Sequence, residues 1–192
     1  MDINEIPIKY VNRGGHERKA GRYWASDIYA IRKGYLRPEN FFDKQEIDEL
    51  GCGRILVGQA MEDMLTKMFK TMEVEVEPQQ KYLIQITDEI TLTVKPDFEF
   101  KDKVLETKFP FSEITEIPEK WKDQLEAERR ALVDAGKSKD VYLGILKIPF
   151  SITTLKYKPS TRRWQTIQDT LKEFHKDVKK VEEQIKLSKQ VL

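Results

Sequence analysis

The chain has 192 residues and a formal net charge of +1, with 39% hydrophobic and 35% charged residues. This length predicts a single domain with one substantial hydrophobic core, and the composition argues against a disordered chain. Because the charges almost balance, a wholly basic surface is excluded, and any nucleic-acid-binding patch has to be local.

Cys52 is the only cysteine, which excludes an intramolecular disulfide and any all-cysteine zinc or iron–sulfur site within one chain. We expect it to be a small buried residue. The opening Met-Asp-Ile-Asn-Glu lacks the basic-then-apolar plan of a signal peptide, and no apolar run approaches the ~20 residues of a membrane span. We therefore expect a soluble, cytoplasmic protein that does not enter a membrane.

Residues 1–50 are expected to form a basic, aromatic-rich helical segment. Over residues 9–37, eight basic side chains face two acidic ones, and a short helix is predicted from Ser26 to Gly34. The aromatic residues there could stack on bases or belong to the core, and we expect most of Trp24 and Tyr29 to be buried. The candidate phosphate contacts of this segment are Arg18, Lys19, Arg22, Arg32 and Lys33.

Residues 54–150 are predicted to form the catalytic core, beginning with a helix over residues 54–72, where apolar residues recur at helical spacing. Glu62 falls on that apolar stripe. A carboxylate aimed at the core is costly unless it is paired or metal-bound, so Glu62 is a candidate metal ligand. The alternative is a glutamate at the edge of the stripe that reaches water.

The remaining pattern predicts alternating strands and helices. Strands are predicted at residues 73–77, 81–86, 90–100, 103–109, 141–148 and 151–158, and helices at residues 118–135 and 160–190. This order predicts an α/β fold in which a central mixed β-sheet is flanked by helices, with a long C-terminal helix.

The strands at 90–100 and 103–109 are predicted to form a hairpin. If its turn centres on Lys101-Asp102, Asp97 lies directly opposite Glu106, and Lys108 shares their face. A three- or five-residue loop would shift the register by one and separate them. The opposite face would carry apolar residues, namely Phe98, Phe100, Leu105 and Phe109.

Two carboxylates held opposite each other repel, and a divalent cation converts that repulsion into binding. Asp97 and Glu106 are therefore candidate metal ligands, and the Thr107 carbonyl could supply a further oxygen. Lys108 would position a metal-bound water or stabilise developing negative charge. The alternative is a surface hairpin with scattered charges.

The helix over residues 118–135 carries two further candidates. The amide of Gln124 could hold a phosphate or the attacking water, and Arg129 could contact phosphates. The alternative for both is a solvated, charged helix face with local ion pairs.

The ordered series of Gly58, Glu62, Pro96-Asp97, Glu106-Thr107-Lys108 and Gln124 resembles the PD-(D/E)XK nuclease superfamily, especially the RecB-like exonucleases and their relatives among CRISPR adaptation nucleases. The resemblance implies a restriction-endonuclease-like core and DNA cleavage that depends on Mg²⁺ or Mn²⁺. It assigns catalysis to Asp97, Glu106 and Lys108, with Glu62 assisting.

Three departures from the RecB-like pattern are visible. Glu62 stands about where those proteins carry a metal-binding histidine, and Glu128 stands where their glutamine motif ends in tyrosine. The members with an iron–sulfur cluster use four cysteines, and Cys52 alone cannot hold one, so no such cluster is expected.

These observations predict a metal-dependent DNA nuclease, either an exonuclease or a single-strand or flap nuclease, whose DNA is single-stranded or has free ends. The alternatives are a dimeric Holliday-junction resolvase or restriction-type endonuclease, and a non-catalytic nucleic-acid-binding module on the same fold. The final helix has an apolar seam whose first half is expected to pack against the domain's own sheet. Its distal end, from Val178 to Ile185, is the predicted contact of a homodimer.

Overall fold

The computed structural model describes residue 11 and residues 18–43, 47–110, 113–147 and 151–190. Residues 9, 10 and 12–17 of the predicted basic segment lie outside the described residues. The helices are α1 (Ile28–Arg32), α2 (Glu49–Thr71), α3 (Glu119–Asp134) and α4 (Thr161–Gln190). The strands are β1 (Arg22–Trp24), β2 (Glu77–Pro78), β3 (Tyr82–Thr87), β4 (Ile90–Val94), β5 (Phe98–Glu99), β6 (Lys103–Lys108), β7 (Asp140–Lys147) and β8 (Ser151–Lys156). Among the described helices, none is long and apolar enough to cross a membrane.

The strands form two mixed sheets. In the smaller sheet, β4 lies between β1, which is parallel to it, and β3, which is antiparallel. The larger sheet has the order β2-β5-β6-β7-β8, and only β6 and β7 are parallel. The predicted α/β class with a long C-terminal helix is confirmed. The single predicted strand over 90–100 is wrong, because Pro96 lies between β4 and β5 and cannot donate to a continued ladder.

Three apolar clusters hold these layers together. The largest joins the inner face of the small sheet to α1, α3 and α4, with Tyr23, Leu92 and Leu171 at its centre. A second packs α3 against β6 and β7. The third places α2 over the larger sheet, where Leu65 contacts the group of Phe98 and Leu105. Together the clusters fix α2 and α3 relative to the β5–β6 hairpin.

Helix α2 begins at Glu49 rather than at residue 54, so the predicted start is wrong. Gly51 and Gly53 lie inside the helix instead of preceding it. The reason is the cap: the Asp48 carboxylate accepts a hydrogen bond from the Gly51 N–H at 2.7 Å. Cys52 on this first turn is buried, as expected, with Sγ 3.4 Å from the Ile47 carbonyl oxygen.

The strand predicted over residues 73–77 is also wrong, since only Glu77 and Pro78 pair, with β5. Glu73 has a positive φ of 55°, which ends α2 in a turn rather than starting a strand. The helical prediction for residues 1–50 missed β1. It also misplaced Trp24, whose side chain lies on the outer face of the small sheet and is 36% exposed.

The first half of α4 packs into its own domain, as expected. Ile167, Leu171, Phe174 and Val178 are all buried in the largest cluster. The predicted dimer contact therefore cannot begin at Val178, which is fully buried within the protomer. Farther along, Ile185 is 37% and Leu187 is 63% exposed.

Candidate active site

The β5–β6 hairpin has the predicted register. Phe98 pairs with Leu105 and Glu99 with Val104, and the Phe100 N–H donates to the Lys103 carbonyl at 2.8 Å across the turn. Continued by one residue, this register places Asp97 opposite Glu106. The apolar face of the hairpin is buried in the core, as predicted, and lies under α2, so its acidic face is turned towards α3.

The Asp97 carboxylate is held by Thr107, the residue that follows Glu106. The Thr107 N–H and hydroxyl both donate to Asp97 Oδ2, at 2.7 and 2.6 Å. Burial, followed by the negative charges of Glu106 and Glu62, raises the pKa of Asp97 to about 7. The sequence assigned only the Thr107 carbonyl and missed this double contact, because strand alternation places the Thr107 side chain on the face opposite to that of Asp97.

Glu106 is almost fully enclosed, with 2% of its surface exposed. Its Oε1 accepts hydrogen bonds from Lys108 Nζ and Gln124 Nε2, both at 2.5 Å. Its Oε2 is buried and has no hydrogen-bond partner within the described part of the chain. Gln124 thus orients Glu106, whereas the sequence had suggested that it holds a phosphate or water.

Lys108 is a protonated cation at this site. Burial lowers the pKa of its ammonium group, but the charges of Glu106 and Asp97 more than offset this, so the pKa lies above its usual value. A lysine in this state cannot accept a proton near neutral pH. It can donate hydrogen bonds and stabilise negative charge, which is one of the two roles predicted for it.

Glu128 is the functional residue that the sequence missed. It lies one helical turn after Gln124 on α3 and is fully buried, and neither carboxyl oxygen has a hydrogen-bond partner among the described residues. Burial, followed by repulsion from Glu106 and Asp97, raises the pKa of Glu128 well above its usual value. Its i, i+4 spacing from Gln124 was the available signal.

Glu62 lies on α2 and is half-buried. Its Oε2 accepts a hydrogen bond from Gln79 Nε2 at 2.9 Å, and Gln79 Oε1 accepts one from Lys95 Nζ at 2.7 Å. Burial raises the pKa of Glu62, and the charge of Glu106 raises it further, so the two carboxylates are electrostatic neighbours. Whether Glu62 binds a metal ion remains a prediction.

The residues fit an open site for a divalent cation rather than an enclosed one. Within the described residues, no group of three or more His, Cys, Asp or Glu side chains lies close enough together to hold a metal ion. Mg²⁺, however, is commonly bound by one or two carboxylates, with waters and substrate phosphates completing the shell. The mutual repulsion of Asp97 and Glu106 fits that arrangement.

Among the predicted phosphate contacts, two arginines are already paired with carboxylates. Both Arg18 amino groups donate to Asp27, at 3.3 and 3.1 Å, and Arg32 lies 2.8 Å from Asp123. These two charges are largely neutralised within the protein, so they contribute little to phosphate binding.

The other predicted phosphate contacts have different surroundings. Lys33 lies over the Tyr29 ring at 6.0 Å. Arg129, on α3, is half-buried and its Nη1 has no hydrogen-bond partner among the described residues. Lys19 and Arg22 are exposed at the edge of the small sheet. The structure thus gathers Asp97, Glu106, Lys108 and Gln124 into one site but distributes the basic residues around it.

No protein-family model and no curated protein matches the sequence. Among solved structures, SSO0001 has a TM-score of 0.65 at 14% identity, covering 91% of this chain and 85% of that one. An alkaline exonuclease, LHK-Exo from Laribacter hongkongensis, also has a TM-score of 0.65, at 10% identity, covering 90% of this chain and 96% of that one. The same exonuclease in complex with dAMP matches at 11% identity and a TM-score of 0.65. At these identities the comparisons show the fold: this chain has a fold found in a nuclease.

Proposed function

We propose that this chain is a divalent-metal-dependent DNA nuclease of the PD-(D/E)XK superfamily, of the RecB-like kind. The observation that carries the proposal is the burial of the Glu106 carboxylate next to the Asp97 carboxylate and the cationic Lys108. A shared fold with an alkaline exonuclease supports it. A surface hairpin with scattered charges, the alternative, would not bury Glu106 to 2% exposure.

Asp97 and Glu106 would hold one Mg²⁺ or Mn²⁺, with the Thr107 carbonyl and Glu62 as further candidate oxygen donors. When bound, such an ion lowers the pKa of a coordinated water and offsets charge on the phosphate. Thr107 fixes the orientation of Asp97 through its two hydrogen bonds, and Gln124 does the same for Glu106.

Lys108 then acts on the substrate side of this pair. Because it stays protonated, its ammonium group donates to a phosphoryl oxygen and stabilises the charge that develops as the bond breaks. A divalent ion held by the two carboxylates would make its coordinated water more acidic, and Lys108 would stabilise the charge on the phosphate rather than accept that water's proton.

The substrate we propose is DNA with a free end or a single-stranded region. A dimeric endonuclease is the second candidate, favoured by Ile185 and Leu187, which are exposed apolar residues on the distal half of α4. A homodimer through this end would bring two active sites to one duplex or junction. The non-catalytic module is disfavoured because it gives no chemical reason to keep Asp97, Glu106 and Lys108 together.

A substrate panel tests the proposal. Linear single strands, blunt duplexes, flaps, closed circles and four-way junctions are incubated with the protein in Mg²⁺, Mn²⁺ or EDTA. We expect cleavage of linear single strands or flaps in either metal and none in EDTA. Cleavage of circles or junctions would favour the dimeric endonuclease, and full activity in EDTA would contradict both.

A further inference from the structure

In the part of the chain that the structure describes, no helix packs on the outer face of the small sheet. Strand alternation turns Tyr23, Ile84 and Leu92 into the core, so the residues beside them in sequence point to the other face. A groove of about 370 Å³ lies along that face, between the basic loop that precedes β1 and strand β3.

An apolar row crosses the middle of this groove. Trp24 pairs with Thr93, and Thr93 pairs with Leu83, so the three side chains stand side by side on adjacent strands. Trp24 is 36% and Leu83 is 64% exposed, which is unusual for large apolar side chains on a sheet. Flat aromatic and apolar groups on an open sheet provide a surface on which unpaired bases stack.

Cations border the apolar row on both sides. Lys81 lies 6.0 Å from the centre of the Trp24 ring, and Arg22 occupies the next row, paired with Thr91. Lys19 adds a third positive charge to the lining. Asp27 is the single carboxylate among the groove's described lining residues, and it is already neutralised by Arg18. The groove is therefore positive along its length and matches a chain of phosphates.

The groove and the candidate active site are close along the chain. Strand β4 carries Thr91 and Thr93 on the groove face, and the chain then continues through Lys95 to Asp97. At roughly 3.3 Å per residue, Thr93 lies about 13 Å from Asp97, a distance of a few nucleotides. Lys95, midway, contacts Gln79 and through it Glu62, so the positive surface continues to the carboxylates.

We propose that this face, the β1-β4-β3 track, binds single-stranded DNA, with one or more bases stacked on Trp24 and Leu83 and phosphates at Arg22 and Lys81. Binding of single-stranded DNA to the track does not depend on the proposed nuclease function. Only the purpose of that binding, to bring a strand towards Asp97, rests on it. Duplex DNA would fit it poorly, because paired bases do not offer their faces for stacking.

Binding is measured by fluorescence anisotropy in EDTA, with a labelled oligothymidylate and a blunt duplex of the same length. We expect the single strand to bind more tightly than the duplex, and Trp24→Ala to weaken single-strand binding about tenfold. Trp24→Tyr should restore most of the affinity, since tyrosine keeps a stacking ring. Lys81→Gln should reduce the salt slope by about 0.7, the value for one single-strand phosphate contact.

Tyr35→Ala is the matched control, because Tyr35 is an aromatic residue that is 71% exposed and does not line the groove. It should bind as the wild type does. Wild-type affinity in Trp24→Ala, with its fold verified by circular dichroism, would overturn the track, as would tighter binding of the duplex. Because the assay contains no metal ion, tight binding without any cleavage in Mn²⁺ would refute the nuclease and leave the track standing. Cleavage that Trp24→Ala leaves unchanged would refute the track and leave the nuclease standing.

Discussion

Replacing Asp97 with asparagine removes a buried charge that is also repelled by Glu106 and Glu62, and that a bound cation would offset. Asparagine keeps an oxygen that can accept the two hydrogen bonds from Thr107, but it carries no charge next to Glu106. We expect Asp97→Asn to stabilise the metal-free protein at pH 8 while abolishing its response to Mn²⁺. Few substitutions at a buried polar position are stabilising, so the direction alone is informative.

The magnitude follows from the pKa of Asp97, which is raised from 3.8 to about 7. Since the folded-state pKa is the higher one, the unfolded chain loses its proton first. The stability that protonated Asp97 confers is complete below about pH 4 and is lost as the pH rises to about 7. At ~1.4 kcal/mol per pH unit, the full loss is about 4 kcal/mol, and about 2 to 3 kcal/mol of it falls between pH 5 and pH 8.

Urea unfolding in EDTA at pH 5 and pH 8 measures this loss. The wild type should lose about 2 to 3 kcal/mol more than Asp97→Asn between the two values. Adding Mn²⁺ at pH 8 should then stabilise the wild type, by about 2.7 kcal/mol at a hundred times Kd, and leave the variant unchanged. Asp63→Asn, an exposed aspartate on α2, is the control and should behave as the wild type does. The same pH dependence in all three proteins would refute the reasoning.

Three further predictions concern neighbouring residues. Glu128→Gln should keep Mn²⁺ affinity within a few-fold, because its amide can donate to Glu106 Oε2, whereas Glu128→Ala should weaken it about tenfold by calorimetry; equal loss in both variants would mean that Glu128 only fills space. Lys108→Met should lower the rate of cleavage by about 10² or more with unchanged Mn²⁺ affinity, and a wild-type rate would remove Lys108 from catalysis. Ile185→Glu should convert a dimer to a monomer in light scattering while the protein stays folded; a wild-type protein that is already monomeric at high micromolar concentration would contradict the predicted dimer.

The hairpin could be predicted from sequence because its signals are local. Phe98 and Leu105 mark one face of two adjacent strands, and a short turn joins them, so the position of Asp97 relative to Glu106 follows from alternation alone. The signal that predicts the end of α3 is equally local, because Gly136 has a positive φ of 72° just after the helix.

The two sheets could not be predicted in the same way. β1 is three residues long and sits in a basic stretch, and it becomes a strand only by pairing with β4, which is distant in sequence. The break at Pro96 separates β4 from β5, but alternation continues through it, so the pattern reads as one strand. Both strand β1 and the break between β4 and β5 therefore depend on pairing between strands that are far apart in the chain.

Glu128 shows why the site could not be predicted completely from the sequence. In sequence it stands among Glu126, Arg129 and Arg130, which is the composition of a solvated helix face. Its burial arises because α3 lies across β6 and β7, so that one face of the helix is sealed against Glu106. The charge of a residue therefore did not indicate its exposure. Only the packing of α3 separates Glu128, which is buried, from Arg130, which is exposed.

The most direct test of the proposed metal-dependent nuclease is to measure DNA cleavage by the Glu106→Gln variant. Glutamine can still accept from Lys108 and Gln124, so the fold and the local hydrogen bonds are expected to persist, but one of the two proposed metal-binding charges is gone. An end-labelled single-stranded oligonucleotide is incubated with the wild type or the variant across a range of Mn²⁺ concentrations. We expect Mn²⁺-dependent cleavage by the wild type and none by Glu106→Gln at any concentration. Cleavage by the variant at the wild-type rate, or by the wild type in EDTA, would contradict it.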